Sequence, residues 1–507
     1  MKFNFPLTKK PLLFSILTGI VAALSFPKAN LFFLMWIAYI PLIYAVKDEP
    51  PKAAFLSGLI SGLVFYICST YWFFPMLKFN LGSVFIALFA SCLLWFYLAL
   101  YWGVWAFGLN KIWKLADNKI AASMAASFLW VLLEYARTYF LTGFPWLLTG
   151  YSQYRFMELI QISEWVGVYG VSFLILICNF LFYFSLSGTK WKRFLAAGLL
   201  LIFVVAIFGY FRADKFKFFG NKIYKAVIVQ PSVDQYRKWD YRQRNKIKDE
   251  LDFFALTVSK HSPDIVLWPE TVIPTAINEN NPADYLFEKQ LSSEAGGYNL
   301  MGALFVDKDG NFFNTVLSFD GGDKFLQIHK KNHLVIFGEY VPFRKLLAPI
   351  FGILNQTGDI QLGTDKNIFR YEELAIAPLI CSENFYPDIS RAFVLNGAKV
   401  LTNHTNDAWF FKTAAPYQHF LMNVFRAIET RKTVLISANS GTSGAVEASG
   451  RIIYESEIFV EGIIPISFTQ NDYKTFYVLH GDIFVLLCLV GFVLLCLTLL
   501  VSHHRRQ

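Results

Sequence analysis

Charge is what this sequence most lacks. Asp, Glu, Lys and Arg make up only 16% of its 507 residues, against 55% hydrophobic and 18% aromatic, and the mean hydropathy is +0.41. An ordinary soluble enzyme of this length is excluded, because its surface would need more ionised side chains. Cysteine is scarce as well, with 6 in all. Cys68, Cys92, Cys178, Cys488 and Cys496 fall within apolar runs, where a thiol serves as a small filler. Only Cys381 lies in polar sequence, so no disulfide framework can form there. Glycine-rich phosphate loops of the GxGxxG or Walker type are missing, which removes the dinucleotide and P-loop classes. HExxH and paired-cysteine patterns are missing too, so His329, His333, His404 and His419 carry no zinc signature. Asp307, Asp309 and Gly310 open like a calcium loop, but the later acidic ligands are absent and the three residues read as a hairpin turn. No cofactor and no metal is expected.

What is present is unevenly spread. Apolar runs fill the first two hundred or so residues and the last 25 or so, and ordinary polar sequence lies between. Expected membrane spans cover 11–26, 31–46, 54–75, 82–107, 120–140, 166–187, 193–211 and 482–501, about eight helices in all. The expected organisation is a transmembrane domain over 1–212, a polar domain over 213–481, and a closing helix with a short tail over 482–507. The net charge of +9 does not point to nucleic acid, because the cations sit in short loops rather than on one compact face. Lys2, Lys9, Lys10, Lys47, Lys52, Lys111, Lys114, Lys119, Lys190, Lys192, Arg193, Arg505 and Arg506 fall on one side of the alternating spans. The other short loops hold only Lys28, Lys78 and Arg155. Cations near span ends resist translocation, so the rich side is cytoplasmic, both termini lie there, and the polar domain is extracytoplasmic. The first span also has the form of a cleaved leader, with Lys9 and Lys10 ahead of a short apolar run and Ala22 and Ala23 near its end. The later alternation of basic loops works better if that helix is retained.

Within the polar domain, short apolar runs at 224–229, 264–268, 299–305, 315–319, 374–380, 399–402, 434–438 and 459–466 suit strands. Residues 241–261 and 416–432 carry apolar positions at helical spacing, as helices covering a sheet would. The domain reads as α/β with helices on the sheet faces.

Three residues there invite chemistry. Glu270 follows a buried run and Pro269, at a strand end where open α/β sheets place their sites; alone it reads equally as a solvated loop glutamate. Lys331 could supply a fixed positive charge to an oxyanion and lower a neighbouring thiol's pKa; alone, Lys330 and Lys331 read equally as a solvent-facing pair. Cys381 ends the run 374–380, so its sulfur would be exposed while the following backbone N–H groups face an oxyanion. A free thiol outside the cytosol calls for nucleophilic chemistry. In the membrane region Glu134 and Arg137 stand three apart on one helical face, a spacing that permits pairing, and Trp146 and Tyr151 suit the membrane interface, where they could shape a lipid doorway.

Taken together, Leu-Trp-Pro-Glu270, Lys331-Asn-His-Leu-Val-Ile-Phe-Gly-Glu339 and Ile-Cys381-Ser-Glu383 resemble the Glu, Lys, Cys triad of the nitrilase superfamily. With Thr142-Gly-Phe-Pro-Trp146, Gly150-Tyr-Ser-Gln153, Asn406-Asp-Ala-Trp409 and the spans, nearly the whole chain resembles the apolipoprotein N-acyltransferase family. The resemblance implies a nitrilase-like α-β-β-α sandwich on a polytopic helical base in the bacterial cytoplasmic (inner) membrane, the catalytic domain periplasmic. It implies lipoprotein biosynthesis, with a phospholipid as acyl donor, a diacylated apolipoprotein as acceptor, the lipid bilayer as setting and a monomeric enzyme. Carried over by position, Glu270 is the general base, Lys331 the oxyanion and thiolate stabiliser, and Cys381 the nucleophile that forms a thioester. Glu339 and Glu383 match supporting acids, and Trp239 a tryptophan on a mobile loop near the lipid entrance. Two positions depart from the family pattern. Ser382 stands where a tyrosine is usual, which bears on substrate contacts, and Ile336 stands where a proline is common. The rival readings are a membrane-anchored nitrilase-like amidase that hydrolyses its acyl-enzyme, and a non-catalytic lipid transporter or scaffold.

Overall fold

The computed structural model describes residues 7–186, 190–220, 222–322, 324–342, 344–347 and 358–504; of the loop cations above, Lys2, Arg505 and Arg506 lie outside them. The chain divides into two compact units, Met1–Ala213 with His480–Gln507, and Asp214–Leu479.

The first unit is helical. Among the described residues, six of its helices are long and apolar enough to cross a membrane: Pro51–Ser69, Val84–Leu115, Lys119–Thr142, Ser163–Ser185, Trp191–Lys215 and Ile483–Ser502. The expected count of about eight is therefore approximate, for two physical reasons. The first expected span is a helix of 16 residues, Lys9–Leu24, or ~24 Å at ~1.5 Å per residue, short of a ~30 Å hydrocarbon core. The second is broken into a 3-10 turn, Phe32–Trp36, and a short helix, Ile40–Val46. Pro41 lacks an N–H and suits only a first turn, so the second helix starts there afresh. Between Pro51–Ser69 and Val84–Leu115 the backbones meet at Gly58 and Gly62, where a Cβ would collide with Trp102 and Ala99.

Glu134 and Arg137 are both buried, and they do not pair with each other. Arg137 Nη1 donates to Tyr66 Oη at 2.5 Å and to the Trp146 carbonyl at 3.0 Å, while Glu134 Oε1 accepts from the Thr149 N–H at 2.6 Å. They satisfy the irregular segment after helix Lys119–Tyr139, in which Leu141, Thr142 and Leu147 all have positive φ. Non-helical backbone amid apolar helices needs such internal partners. Trp146 and Tyr151, expected at an interface, are instead buried, with Trp146 against Trp72 at 5.2 Å between ring centroids. Their rings pack the unit that their backbone threads.

The second unit is a two-sheet sandwich. Its strands are β1 (Ile223–Gln230), β2 (Ile265–Leu267), β3 (Ala276–Asn278), β4 (Tyr298–Val306), β5 (Phe312–Phe319), β6 (Phe325–Lys330), β7 (Phe369–Tyr371), β8 (Leu374–Ile380), β9 (Val400–Thr405), β10 (Thr433–Ala438), β11 (Gly444–Val446), β12 (Ile452–Glu455) and β13 (Gly462–Thr469). One sheet runs β13-β1-β2-β4-β5-β6 with β3 paired to β4, and the other runs β12-β11-β10-β9-β8-β7. The inner faces meet through Ile228, Leu267, Leu300 and Val316 of the first sheet and Ile376, Ile380, Val400 and Leu435 of the second. The outer face of the first sheet is covered by helices Arg244–Ser259 and Leu286–Ala295, which bury Ile247, Leu251, Phe254, Leu291 and Ala295 against Val227, Val266 and Met301. Helices Pro387–Leu395 and Ala415–Thr430 pack on the second sheet. The α-β-β-α layering expected above is therefore present.

The hairpin expected at 307–310 joins β4 to β5, with Gly310 at positive φ. The last strand is displaced from the expected 459–466 because Phe459 takes a positive φ and pairing with β1 starts only at Gly462. β2, β4 and β6 run in one direction, since β2 and β4 pair in parallel and β6 is two antiparallel steps from β4. β8, β9 and β10 are likewise mutually parallel. The carboxyl ends of these strands are where the polar residues collect.

Candidate active site

Each singled-out residue is delivered by a strand end. Glu270 follows β2 through Trp268 and Pro269, Lys331 is the residue after β6, and Cys381 is the residue after β8. Glu270 is buried, its Oε1 accepting from Asn314 Nδ2 at 2.6 Å and its Oε2 from the Asn406 N–H at 2.9 Å. Lys331 is buried as well, with Nζ 3.9 Å from Glu270 Oε1 and 2.9 Å from Glu339 Oε1. Asn314, within β5, binds both carboxylates, since its Nδ2 also reaches Glu339 Oε1 at 2.9 Å. The remaining oxygen of Glu339 takes the Val335 N–H at 2.8 Å. Two acids, one ammonium and one amide thus form a closed polar cluster.

Cys381 sits at the edge of this cluster, partly buried, with φ of +48°. It opens a 3-10 turn, Cys381–Phe385. Glu383 ties the strand of Cys381 to that of Lys331. Its Oε2 accepts from the Ile380 N–H at 2.7 Å and its Oε1 from the Asn332 N–H at 2.6 Å, so one buried carboxylate clamps the residues beside Cys381 and Lys331. His329 Nε2 lies 3.7 Å from that same Oε2. Ser382 is buried, and its hydroxyl has no hydrogen-bond partner among the described residues. Trp239 is 49% exposed, in the turn after helix Gln235–Lys238. That helix is tied to the site by its ends, Gln235 accepting from Asn406 Nδ2 at 2.6 Å and Lys238 Nζ donating to Thr271 Oγ1 at 2.9 Å.

The electrostatics follow from burial and these neighbours. Burial pushes the Glu270 carboxyl above the ordinary glutamate range, with Glu339 adding to the rise while Lys331 and Asn314 oppose it. Burial works against the Lys331 ammonium, but Glu339, the thiol position and Glu270 outweigh it and hold its pKa above that of a free lysine. Burial would also raise Glu339; Lys331, Asn314 and the Val335 N–H outweigh that and keep it low. The Cys381 thiol is pushed well up, by burial first and Glu270 second, with Lys331 pulling the other way. At rest, then, the sulfur holds its proton beside a base of raised basicity and a permanent cation. Burial brings Lys238 down to about 7, against the pull of Glu270.

This yields a prediction of sign. A step in which Glu270 accepts a proton speeds up as pH rises through its pKa. Glu339 raises that pKa, so Glu339→Gln is expected to move the acid limb of the kcat/KM profile to lower pH, with a maximum lower by about tenfold or less. A limb that stays put or moves upward would contradict the coupling.

Asn314, Asn406 and Lys238 were not singled out from the sequence. Asn314 left one trace, an amide in the mostly apolar run Phe312–Phe319, where burial demands a partner. Asn406 stood in the Asn-Asp-Ala-Trp409 run without a role, and Lys238 looked like any surface cation beside Arg237.

A sandwich that gathers Glu, Lys and Cys at three strand ends defines a nitrilase-fold enzyme, here in the same chain as a helical membrane unit. Known proteins agree, residues 228–475 matching the carbon-nitrogen hydrolase family and residues 18–181 the apolipoprotein N-acyltransferase N-terminal domain. Apolipoprotein N-acyltransferase of Geobacter metallireducens is 31% identical over 496 residues, covering 95% of this chain and 94% of the relative. The Rickettsia typhi protein of the same name is 30% identical, covering 94% of this chain and 96% of its own. Among solved structures, a Saccharomyces cerevisiae member of branch 10 of the nitrilase superfamily aligns with 49% of this chain and 91% of its own, at 16% identity and a TM-score of 0.39. The chain belongs to the apolipoprotein N-acyltransferase family.

Proposed function

We propose that this membrane enzyme moves a fatty acyl chain from a glycerophospholipid, through a thioester on Cys381, to the N-terminal amine of an S-diacylglyceryl-cysteine lipoprotein. In the first half-reaction Glu270 takes the thiol proton as Sγ attacks the ester carbonyl carbon. The carbonyl oxygen becomes an oxyanion, held by Lys331 Nζ and backbone N–H groups. The tetrahedral adduct collapses with cleavage of the ester C–O bond, and the proton on Glu270 passes to the departing lysophospholipid alkoxide. In the second half-reaction the neutral lipoprotein amine attacks the thioester, Glu270 accepts its proton, the C–S bond breaks, and the thiolate recovers that proton. An amide replaces a thioester, so the second step runs downhill.

The observation that carries this reading is the adjacency of the Glu270 carboxylate and the Lys331 ammonium, 3.9 Å apart, at strand ends that Glu383 ties to that of Cys381. Glu339 keeps Lys331 charged and aimed, and Glu383 keeps the two strand ends in register. We assign Trp239 and Ser382 to substrate contacts, Trp239 by its exposure on a segment tied to the site and Ser382 by an unspent hydroxyl next to the nucleophile. The basic loops support a catalytic domain on the periplasmic side with both termini in the cytoplasm, in an enzyme of the bacterial inner membrane.

The test is acceptor choice. Purified protein is given a phospholipid labelled in its acyl chains and then a synthetic diacylated lipopeptide. The transferase reading expects label in a hydroxylamine-stable amide on the peptide. Release of the label as free fatty acid at the same rate with or without the peptide would make the protein a hydrolase instead.

A further inference from the structure

Behind the nucleophile lies a carboxyl–imidazole pair that the mechanism above does not use. Asp407 opens the turn Asp407–Phe410 after β9, and His419 lies in helix Ala415–Thr430; both are buried. His419 Nδ1 is 2.8 Å from Asp407 Oδ1. A carboxylate oxygen can only accept, so the proton of that bond is on Nδ1. His419 Nε2 stands 3.3 Å from the carbonyl oxygen of Cys381 and 3.1 Å from Asn384 Oδ1. Asn384 returns its Nδ2 toward the His419 carbonyl at 3.5 Å, and Phe385 packs on the ring at 4.8 Å between centroids. Thr405 Oγ1 donates to the same Asp407 Oδ1 at 3.1 Å. Residue 381 is thus held at its carbonyl by His419, and that contact leads back to Asp407.

A residue so held has a reason to need it. β8 brings Ile380 in extended, and the chain turns into the 3-10 segment at Cys381 with φ of +48°, a region that side chains other than glycine rarely adopt. Released, the residue would relax and carry Sγ away from Glu270. Asp407 itself depends on a close approach, because a Cβ at Gly441 would stand 2.7 Å from its Cβ and 2.8 Å from its Cγ.

We propose that Asp407 and His419 are a positioning pair: Asp407 orients the imidazole, and its Nε2 edge, set against the Cys381 carbonyl, keeps the nucleophile's backbone in the left-handed turn that aims its sulfur at the acyl carbon. The proposal rests on the acyl-transfer reading for its consequence, though not for its geometry.

The experiment uses the full-length protein with His419→Ala, His419→Gln, Asp407→Asn, Gly441→Ala and the double variant Asp407→Asn/His419→Gln. In the double variant the new asparagine amide donates to the new glutamine Oε1, whose Nε2 donates to the Cys381 carbonyl, so the chain is rebuilt without charge. Two rates are followed. One is alkylation of Cys381 by iodoacetamide, read on its own peptide by mass spectrometry, and the other is acyl transfer. Alkylation requires no lipid, so it stands or falls separately from the function assigned above. His419→Ala is expected to lower kcat about 100-fold, with KM for phospholipid changed by about twofold or less. Gly441→Ala is expected to act in the same direction through Asp407. The double variant is expected to exceed Asp407→Asn by about tenfold in both rates. Should His419→Ala fail to fold, His419→Gln and the double variant carry the comparison. Parent-like alkylation in His419→Gln, or a double variant no faster than either single, would overturn the proposal.

Discussion

Cys381→Ala is expected to abolish acylation of the enzyme and to lower transfer by about four orders of magnitude or more, as loss of a covalent nucleophile does elsewhere. The other hydroxyls beside it offer no substitute. Ser382 is buried and Thr405 is committed to Asp407, and an aliphatic hydroxyl is a far weaker acid than a thiol, so even a Glu270 of raised basicity cannot take its proton. Cys381→Ser should therefore be nearly as inactive as the alanine variant. Because Cys381 is only partly buried and lies at a strand end, both variants should retain the parent's thermal unfolding midpoint within a few degrees. A slow variant that unfolds early would have lost its fold and not its nucleophile, so calorimetry accompanies the rate.

Lys331→Met is the second large effect. It removes the cation at which the oxyanion develops, and the expected loss in kcat is about 1000-fold, at the upper end for a single oxyanion donor. It also reverses the balance of the polar cluster. Without the ammonium, the carboxylates of Glu270 and Glu339 face each other through Asn314 alone, and all of Lys331's downward pull on Glu270, Glu339 and Cys381 is gone. Glu270 should therefore stay protonated to higher pH, which moves the acid limb of the rate profile upward, opposite to the shift expected for Glu339→Gln. Leaving a buried charge without its partner costs about 3–5 kcal/mol, so the variant should also be less stable. Lys331→Met/Glu339→Gln should recover most of that stability and none of the rate. A double variant as unstable as the single would mean that the Lys331–Glu339 pair does not hold this corner together.

The parts of the fold that could be read in the sequence were those written in runs. β2 and β8 are short, wholly buried strands that end in Pro269-Glu270 and Cys381, and a buried run closed by a polar residue is visible without coordinates. β6, which delivers Lys331, was not legible. It is an edge strand with mixed burial, and its sequence, Phe325 to Lys330, alternates too weakly to separate from loop. The membrane spans were legible by hydropathy, except where proline or shortness broke them, at Lys9–Leu24 and Phe32–Val46. Hydropathy also has no means of saying that an apolar connecting segment folds inward, which is why Trp146 and Tyr151 were expected at an interface and are buried.

For the site, residue types and order were legible, and their arrangement was not. Glu270, Lys331 and Cys381 stand 61 and 50 residues apart, and nothing in the chain itself gives a distance across two sheets. What closes those gaps is a set of hydrogen-bond partners, most of them uncharged. Asn314 bridges Glu270 and Glu339, the Asn406 N–H fixes the other oxygen of Glu270, and Glu383 spans the Ile380 and Asn332 amides. A backbone N–H has no signature in sequence, and a buried asparagine is conspicuous only once its strand is known to be buried.

The most direct measurement of the central claim is the mass of the Cys381 peptide after the protein has met a phospholipid with no acceptor present. The account predicts a gain equal to one acyl group in place of one hydrogen, lost on treatment with neutral hydroxylamine and absent from Cys381→Ala. Acceptor lipopeptide converted to its amide at full rate while that peptide keeps its unmodified mass throughout, or while the acyl group is found on another residue, would contradict it.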